Sequence, residues 1–306
     1  KHQKFTNKKL VPLSGGLIII IFLLSNYIFT NIQLSTIFLL IFILGVMSDY
    51  NGSFSPLLRI FFQLSVIFIM VLTLNLEIVT TKVFFLDFLL KQKFMNYIFC
   101  VFCLLIVLNG TNFIDGCNNI VLGYYLIITI VLFQLNLFAT IGVENYFVYG
   151  FIILFFILIL FNSLEKLYLG DNGVYILALI FGFYLIKIHL NNPGISPYFI
   201  VLLLWYPAFE NLFSLIRKFK LRKSPLEADT YHLHQLLYFV LNKIHFKSKN
   251  VANNITGLLI TSYNLIIILL STINIYSTQY QIILITISIL IYVILYIRLF
   301  RYRLTN

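Results

Sequence analysis

Charge is what this chain most lacks. Only 10% of its 306 residues are charged, and the acids number ten. Against that, 61% are hydrophobic, and the mean hydropathy is +0.98. A soluble domain of this length cannot bury so much apolar surface, so the soluble classes are excluded. Cysteine is scarce as well. Cys100 and Cys103 lie within an apolar run and read as packing residues, and with only Cys117 besides, the three suggest neither a disulfide framework nor a zinc site. No segment reads as a cleavable signal peptide. No inverted repeat of the kind built into many transporters is visible. The net charge of +11 in a membrane chain marks cytoplasmic loops, so no nucleic-acid partner is expected.

What is present is long Ile/Leu/Phe runs, continuous rather than alternating. Lipid offers backbone groups no water, so the spans must be helices or a closed barrel, and continuous runs favour helices. The expected fold is an all-α polytopic membrane protein, a single domain over 1–306. Ten spans are expected, at 17–31, 34–47, 57–76, 95–108, 120–141, 147–162, 174–190, 198–215, 253–274 and 281–298. The segment 77–94 is expected to form a short strand pair or to lie at the interface, and carries no evident chemistry. If the N-terminus is cytoplasmic, only Lys82, Lys91, Lys93 and Lys187 of the 21 basic residues fall on or toward the outer side. This orientation puts 48–56, 109–119, 163–173 and the long basic loop 216–252 on one face.

Those four segments are the polar islands of the chain. The densest is Asn109-Gly110-Thr111-Asn112-Phe113-Ile114-Asp115-Gly116-Cys117-Asn118-Asn119, which has no Lys or Arg. In a helix, Asn112 and Asp115 would face one way. The island ending in Ser48-Asp49 closes an apolar run and is followed by Arg59. Tyr168-Leu169-Gly170-Asp171-Asn172-Gly173 sets an acid between glycines before another run, where backbone can approach a phosphate and Asp171 can hold Mg²⁺. Taken singly, each of these is as well explained by an interfacial acid, a polar turn or a helix cap. The fourth island carries Arg217, Lys218, Lys220, Arg222 and Lys223 before Asp229-Thr230-Tyr231-His232-Leu233-His234-Gln235. The two imidazoles would share a face in an extended segment and diverge on a helix. His189 and His245 have no such context. Three acid-bearing islands and a His-x-His on one side point to a divalent metal and a polyanionic substrate, with a lipid as second substrate. A transporter would instead place ionisable groups near the midplane of broken helices, whereas Asp49, Asp115 and Asp171 sit at span ends.

In this order, Val11-Pro12-Leu13-Ser14-Gly15-Gly16, Asn112-Phe113-Ile114-Asp115-Gly116, Leu169-Gly170-Asp171 and His232-Leu233-His234-Gln235 resemble the polyprenyl-phosphate N-acetylhexosamine-1-phosphate transferases, glycosyltransferase family 4. Tyr198 to Glu210 looks like the branch that initiates surface polysaccharide or O-antigen. The resemblance implies transfer of a sugar-1-phosphate from a UDP-sugar to undecaprenyl phosphate, releasing UMP, at the cytoplasmic face of a bacterial inner membrane. It implies Mg²⁺ on Asp171, with Mn²⁺ as a substitute. It implies catalytic roles for Asp49, Asp115, His232 and His234. Asn112, Asn118, Asn162, Tyr168 and Gly170 are expected to bind substrate. Eleven helices are implied for the intact protein, so this chain, which opens Lys1-His2-Gln3-Lys4, is expected to lack the first. A homodimer is a further expectation. The sequence departs from the family pattern in three places. Ser48 stands for the first acid of a pair, Asn118-Asn119 for Asp-Gly, and Gln235 for a third histidine. A family member that binds without turnover therefore stands as the alternative to an active transferase.

Overall fold

The computed structural model describes residues 11–27, 30–50, 55–222, 224, 231–244 and 248–305. Lys223, Asp229, Thr230 and His245 lie outside the described residues. Thirteen α-helices are described. They are α1 Gly15–Tyr27, α2 Ile32–Tyr50, α3 Pro56–Thr73, α4 Phe84–Leu90, α5 Lys93–Ile114, α6 Ile120–Gln134 and α7 Asn145–Ser163, followed by α8 Gly170–Asn191, α9 Pro197–Leu203, α10 Trp205–Lys220, α11 Leu233–Ile244, α12 Lys249–Ser271 and α13 Thr278–Thr305. At least one helix falls in each of the ten predicted segments. Seven are long and apolar enough to cross a membrane, or eight if α9 and α10 count as one bent span. The remaining two, α1 and α6, are apolar but shorter, so length and composition qualify fewer than ten crossings.

Two expectations need correction. No strand occurs among the described residues. The outer segment instead folds into α4, because Asp87 pulls the preceding chain into a turn. Its carboxylate accepts from the Thr80 hydroxyl at 2.6 Å and from the Thr81 N–H and hydroxyl, each at 2.6 Å. The segment 216–252 is also less of a loop than its charge implies. α10 runs into it, α11 fills its middle and α12 begins within it.

The core is built on α8, buried along nearly its whole length and packed by α1, α2 and α5. Phe181 of α8 stacks on Tyr125 of α6, centroids 4.6 Å apart, and on Phe151 of α7 at 5.9 Å. The exposed Phe, Leu and Ile of α3, α7, α12 and α13 form the outer surface, suited to hydrocarbon rather than water.

The bend of 75° between α9 and α10 was not expected from 198–215. Pro207 explains it. Proline has no N–H to give the carbonyl four residues back, which is that of Leu203. The Tyr124 hydroxyl takes that carbonyl instead, at 2.9 Å.

Candidate active site

The site is assembled at the first turn of α8. Gly170 has φ +73°, a left-handed conformation that a Cβ would penalise. The turn aims the free N–H groups of α8 at Asp49, near the end of α2. Asp49 Oδ1 accepts from the Asp171 N–H at 2.9 Å. Its Oδ2 accepts from the Asn172 N–H at 3.2 Å and from Asn172 Nδ2 at 2.6 Å. Asp49 is thus a helix cap supplied by another helix, with its charge at the favourable end of the α8 dipole.

Asp171 then faces a ring of donors from three other helices and its own. Ser48 Oγ donates to Oδ2 at 2.6 Å, Asn112 Nδ2 to Oδ1 at 2.7 Å, and the Tyr175 hydroxyl to Oδ2 at 3.3 Å. Arg59 of α3 brings Nη1 to 3.9 Å from Oδ2, while its own Nε is buried without a partner. Ser48 therefore touches the very carboxylate that an acid at that position would oppose.

Asn112 lies in the last turn of α5, and Asp115 is the residue that ends it. Burial, and then the negative charges of Asp171 and Asp49, push the Asp115 carboxyl well above the usual carboxylate range. Next to it, Gly116 leaves room for the ring of His234, since a Cβ there would run into Nε2. His232 precedes α11 and His234 sits in its first turn, yet the rings do not diverge. They stack at 5.7 Å with an interplanar angle of 6°. The helix starts between them, and Gln235 Oε1 accepts from the His232 N–H at 3.3 Å, closing a cap like that of a capping box. The His232 ring also lies 5.2 Å from that of Phe113.

Beside this cluster lies a narrow pocket whose lining includes Asp115, Gly116, Asn118, Asn162, Tyr168 and Asn253. Tyr168 is buried, and its backbone carries the 168–170 turn onto the opening loop. Its N–H donates to Pro12 O at 2.9 Å, and its carbonyl accepts from Gly15 N–H at 3.0 Å. The amide of Asn162 is spent inside the protein, accepting from Asn119 N–H at 2.8 Å and donating to Leu167 O at 3.0 Å. Asn118 exchanges hydrogen bonds with Asn253 and donates to Asn254 Oδ1 at 2.8 Å. The structure thus joins Asp49, Asn112 and Asp171 in one hydrogen-bonded cluster with Asp115 close by, sets the two histidines against Phe113 and Gly116 of the turn that carries Asp115, and ties Asn118, Asn162 and Tyr168 beside it.

Sequence reasoning missed Asn250, Asn253 and Asn254, whose signal was three amides within five residues at the start of an apolar helix. It also missed Glu210, an acid inside an apolar run, a pattern that is functional by default.

No three His, Cys, Asp or Glu among the described residues lie close enough to cage a metal. Mg²⁺ does not ask for a cage; it keeps waters and takes one or two carboxylates with substrate phosphates. Asp171, with the Ser48 hydroxyl on one of its oxygens, fits that requirement.

A bundle of apolar helices, seven of them long and apolar enough to cross a membrane, defines a multi-pass membrane protein, and its carboxylates, amides and imidazoles gather at helix ends. The model for glycosyl transferase family 4 matches residues 31–189, just over half of the chain, and the protein belongs to that family, a family of transferases. Asp49, Asn112, Asp115 and Asp171 lie inside the match, while Glu210, His232 and His234 lie beyond it. Compared one by one, no curated protein matches the chain.

Proposed function

We propose that this protein transfers a sugar-1-phosphate, of an N-acetylated hexosamine or a deoxy derivative, from a UDP-sugar to undecaprenyl phosphate. The observation that carries the reading is Asp171, held by Ser48 and Asn112 at the end of apolar helices and facing His232 and His234 across the 112–116 turn. The reaction starts envelope polysaccharide synthesis at the cytoplasmic face of a bacterial inner membrane. An oxygen of the lipid phosphate bonds to the sugar-bearing phosphorus, and the bond from that phosphorus to the UMP oxygen breaks.

Both partners are anions, so the protein must neutralise and align more than it must attack covalently. A phosphate monoester has a second pKa of about 6, so the acceptor needs no strong base. That frees Asp49 to hold α8 and lets Ser48 stand where the family has an acid. When bound, Mg²⁺ on Asp171 supplies charge neutralisation for the diphosphate and the departing UMP. Asn112 orients Asp171, Arg59 adds a positive charge, and His232 and His234 bring imidazole nitrogens that can exchange a proton with phosphate oxygens. Tyr168, Asn118 and Asn253 enclose the uracil end.

An apolar cavity supports the lipid half of the reading. It holds about 350 Å³ between α5, α8, α9, α10 and the 78–86 segment, and its lining includes Val107 and Ala208. Val107 is five residues, about 7 Å of helix axis, from Asn112. Purified protein given Mg²⁺, undecaprenyl phosphate and a panel of UDP-HexNAc donors should release UMP and yield a lipid of matching mass. A panel with no UMP release leaves the binding-only alternative.

A further inference from the structure

Glu210 is the most deeply enclosed acid of the described chain, with no exposed surface, and nothing in the transfer reaction uses it directly. A carboxylate shut away from water must be fully hydrogen-bonded or it destabilises the fold by several kcal/mol. Glu210 is fully bonded, and by unlike partners. Oε1 lies 2.9 Å from His232 Nδ1, and Oε2 accepts from the Tyr292 hydroxyl at 2.6 Å. A carboxylate only accepts, so the proton of this contact sits on Nδ1, and Nε2 is the nitrogen left for a substrate. Tyr292 belongs to α13, which is pinned along the same side. Its ring stacks parallel to Tyr296, and Tyr296 to Phe300, with centroids at 6.2 and 5.8 Å. Phe209 and Phe213 of α10 meet Tyr292 edge-on at 4.9 and 5.5 Å. Packing alone would have been satisfied by Phe at 292 and an apolar residue at 210.

We propose that Glu210 and Tyr292 are positioning residues that lock the tautomer and ring plane of His232, so that the last helix of the chain reaches into the site through one hydroxyl. The inference rests on His232 acting in the transfer proposed above. Tyr292→Phe keeps the aromatic ladder and removes only the oxygen. Glu210→Gln keeps the shape and removes the charge. Losing a hydrogen bond to a charged group should lower kcat about ten- to a hundredfold for Glu210→Gln, and less for Tyr292→Phe, with little change in the KM for the UDP-sugar. In a His232→Ala background both substitutions should cost nothing further, because they act through the ring they position. Losses that simply add to that of His232→Ala would overturn the proposal.

A second measurement does not need turnover. In protein labelled with ¹⁵N-histidine, the His232 signals are those missing from His232→Ala. They should show a proton on Nδ1, and Tyr292→Phe should shift that proton, since the carboxylate loses its second donor. A bare Nδ1, or a resonance unmoved by Tyr292→Phe, sinks the relay even if the protein proves an active transferase. If the wild type releases no UMP and the Nδ1 proton is present and moves, the relay stands and the transferase reading falls.

Discussion

At the scale of single residues, the site is a balance of like charges. Asp49, Asp115 and Asp171 sit together with Arg59 as the cation that meets Asp171, and the balance is met by hydrogen bonds. Asp115 bears the cost. Its carboxyl is raised by burial first and by Asp171 and Asp49 second, so the folded protein holds its proton more tightly than the unfolded chain does. The stability from that proton is fully present below the ordinary carboxylate pKa and is lost as pH rises through the folded value. Asp115→Asn should therefore raise the thermal midpoint at pH 7 to 8 in the presence of EDTA, have little effect near pH 4, and still abolish UMP release. An unchanged or lower midpoint at neutral pH would contradict the charge balance. Ser48 makes the complementary case. Its hydroxyl gives Asp171 a charge-assisted hydrogen bond, so Ser48→Ala should slow turnover by about ten- to a hundredfold while the protein stays folded. Wild-type rates would show that the bond is incidental.

At the scale of elements, the placement of α8 decides whether a site exists at all, and that placement depends on a cap drawn from α2. Three donors of the α8 first turn converge on Asp49. Helix caps are typically worth about 1 kcal/mol, and up to about 2 kcal/mol in protein hosts. Asp49→Ala should lower stability by about that amount and displace Asp171, so activity falls together with the thermal midpoint. Asp49→Asn keeps an acceptor and should retain more of both. If Asp49→Ala unfolds at the wild-type midpoint but is inactive, Asp49 acts on substrate instead. The helices themselves were legible, because apolar runs bounded by polar islands leave few alternatives. The convergence of Asp49, Asn112 and Asp171 was legible only as residues sharing one face. That Asp49 caps α8 could not be read, because the contact joins residues more than 120 positions apart. The break between α9 and α10 was hidden for a related reason. Pro207 gave the local signal, but the acceptor it frees is satisfied by Tyr124, some 80 residues earlier. Glu210 was hidden by its own surroundings, since a single acid in a run of Phe, Leu and Tyr barely moves a hydropathy window, and its partners lie on α13 and before α11.

At the scale of the whole molecule, the proposed transfer needs two substrates that approach from different media. In that reading a UDP-sugar comes from water, toward the pocket where the 115–119 turn, α7 and α12 bring Asn118, Asn162 and Asn253 together. A polyprenyl phosphate comes from the bilayer, and its long tail needs an apolar path ending at the carboxylates. The apolar cavity between α5, α8, α9 and α10 extends from Val107 and Ala208 away from the carboxylates toward Ile78, Leu86 and His189, and the bend at Leu204 lies along its wall. The exposed Leu57, Leu58, Phe61 and Phe62 around Arg59 extend an apolar surface up to the same carboxylates. If the tail lies in the cavity, filling it should act on the acceptor alone. Ala208→Phe puts a ring into the cavity, whose lining includes neither Asp171 nor any residue of the pocket around Asn118. It should raise the KM for undecaprenyl phosphate at least several-fold and leave the KM for the UDP-sugar within about twofold, since a change in uniform binding appears in KM for the affected substrate only. A short-chain acceptor that does not fill the cavity should be nearly indifferent to the substitution. Equal losses for long and short acceptors would place the tail elsewhere on the lipid-facing surface and leave the cavity as packing space around a bent helix.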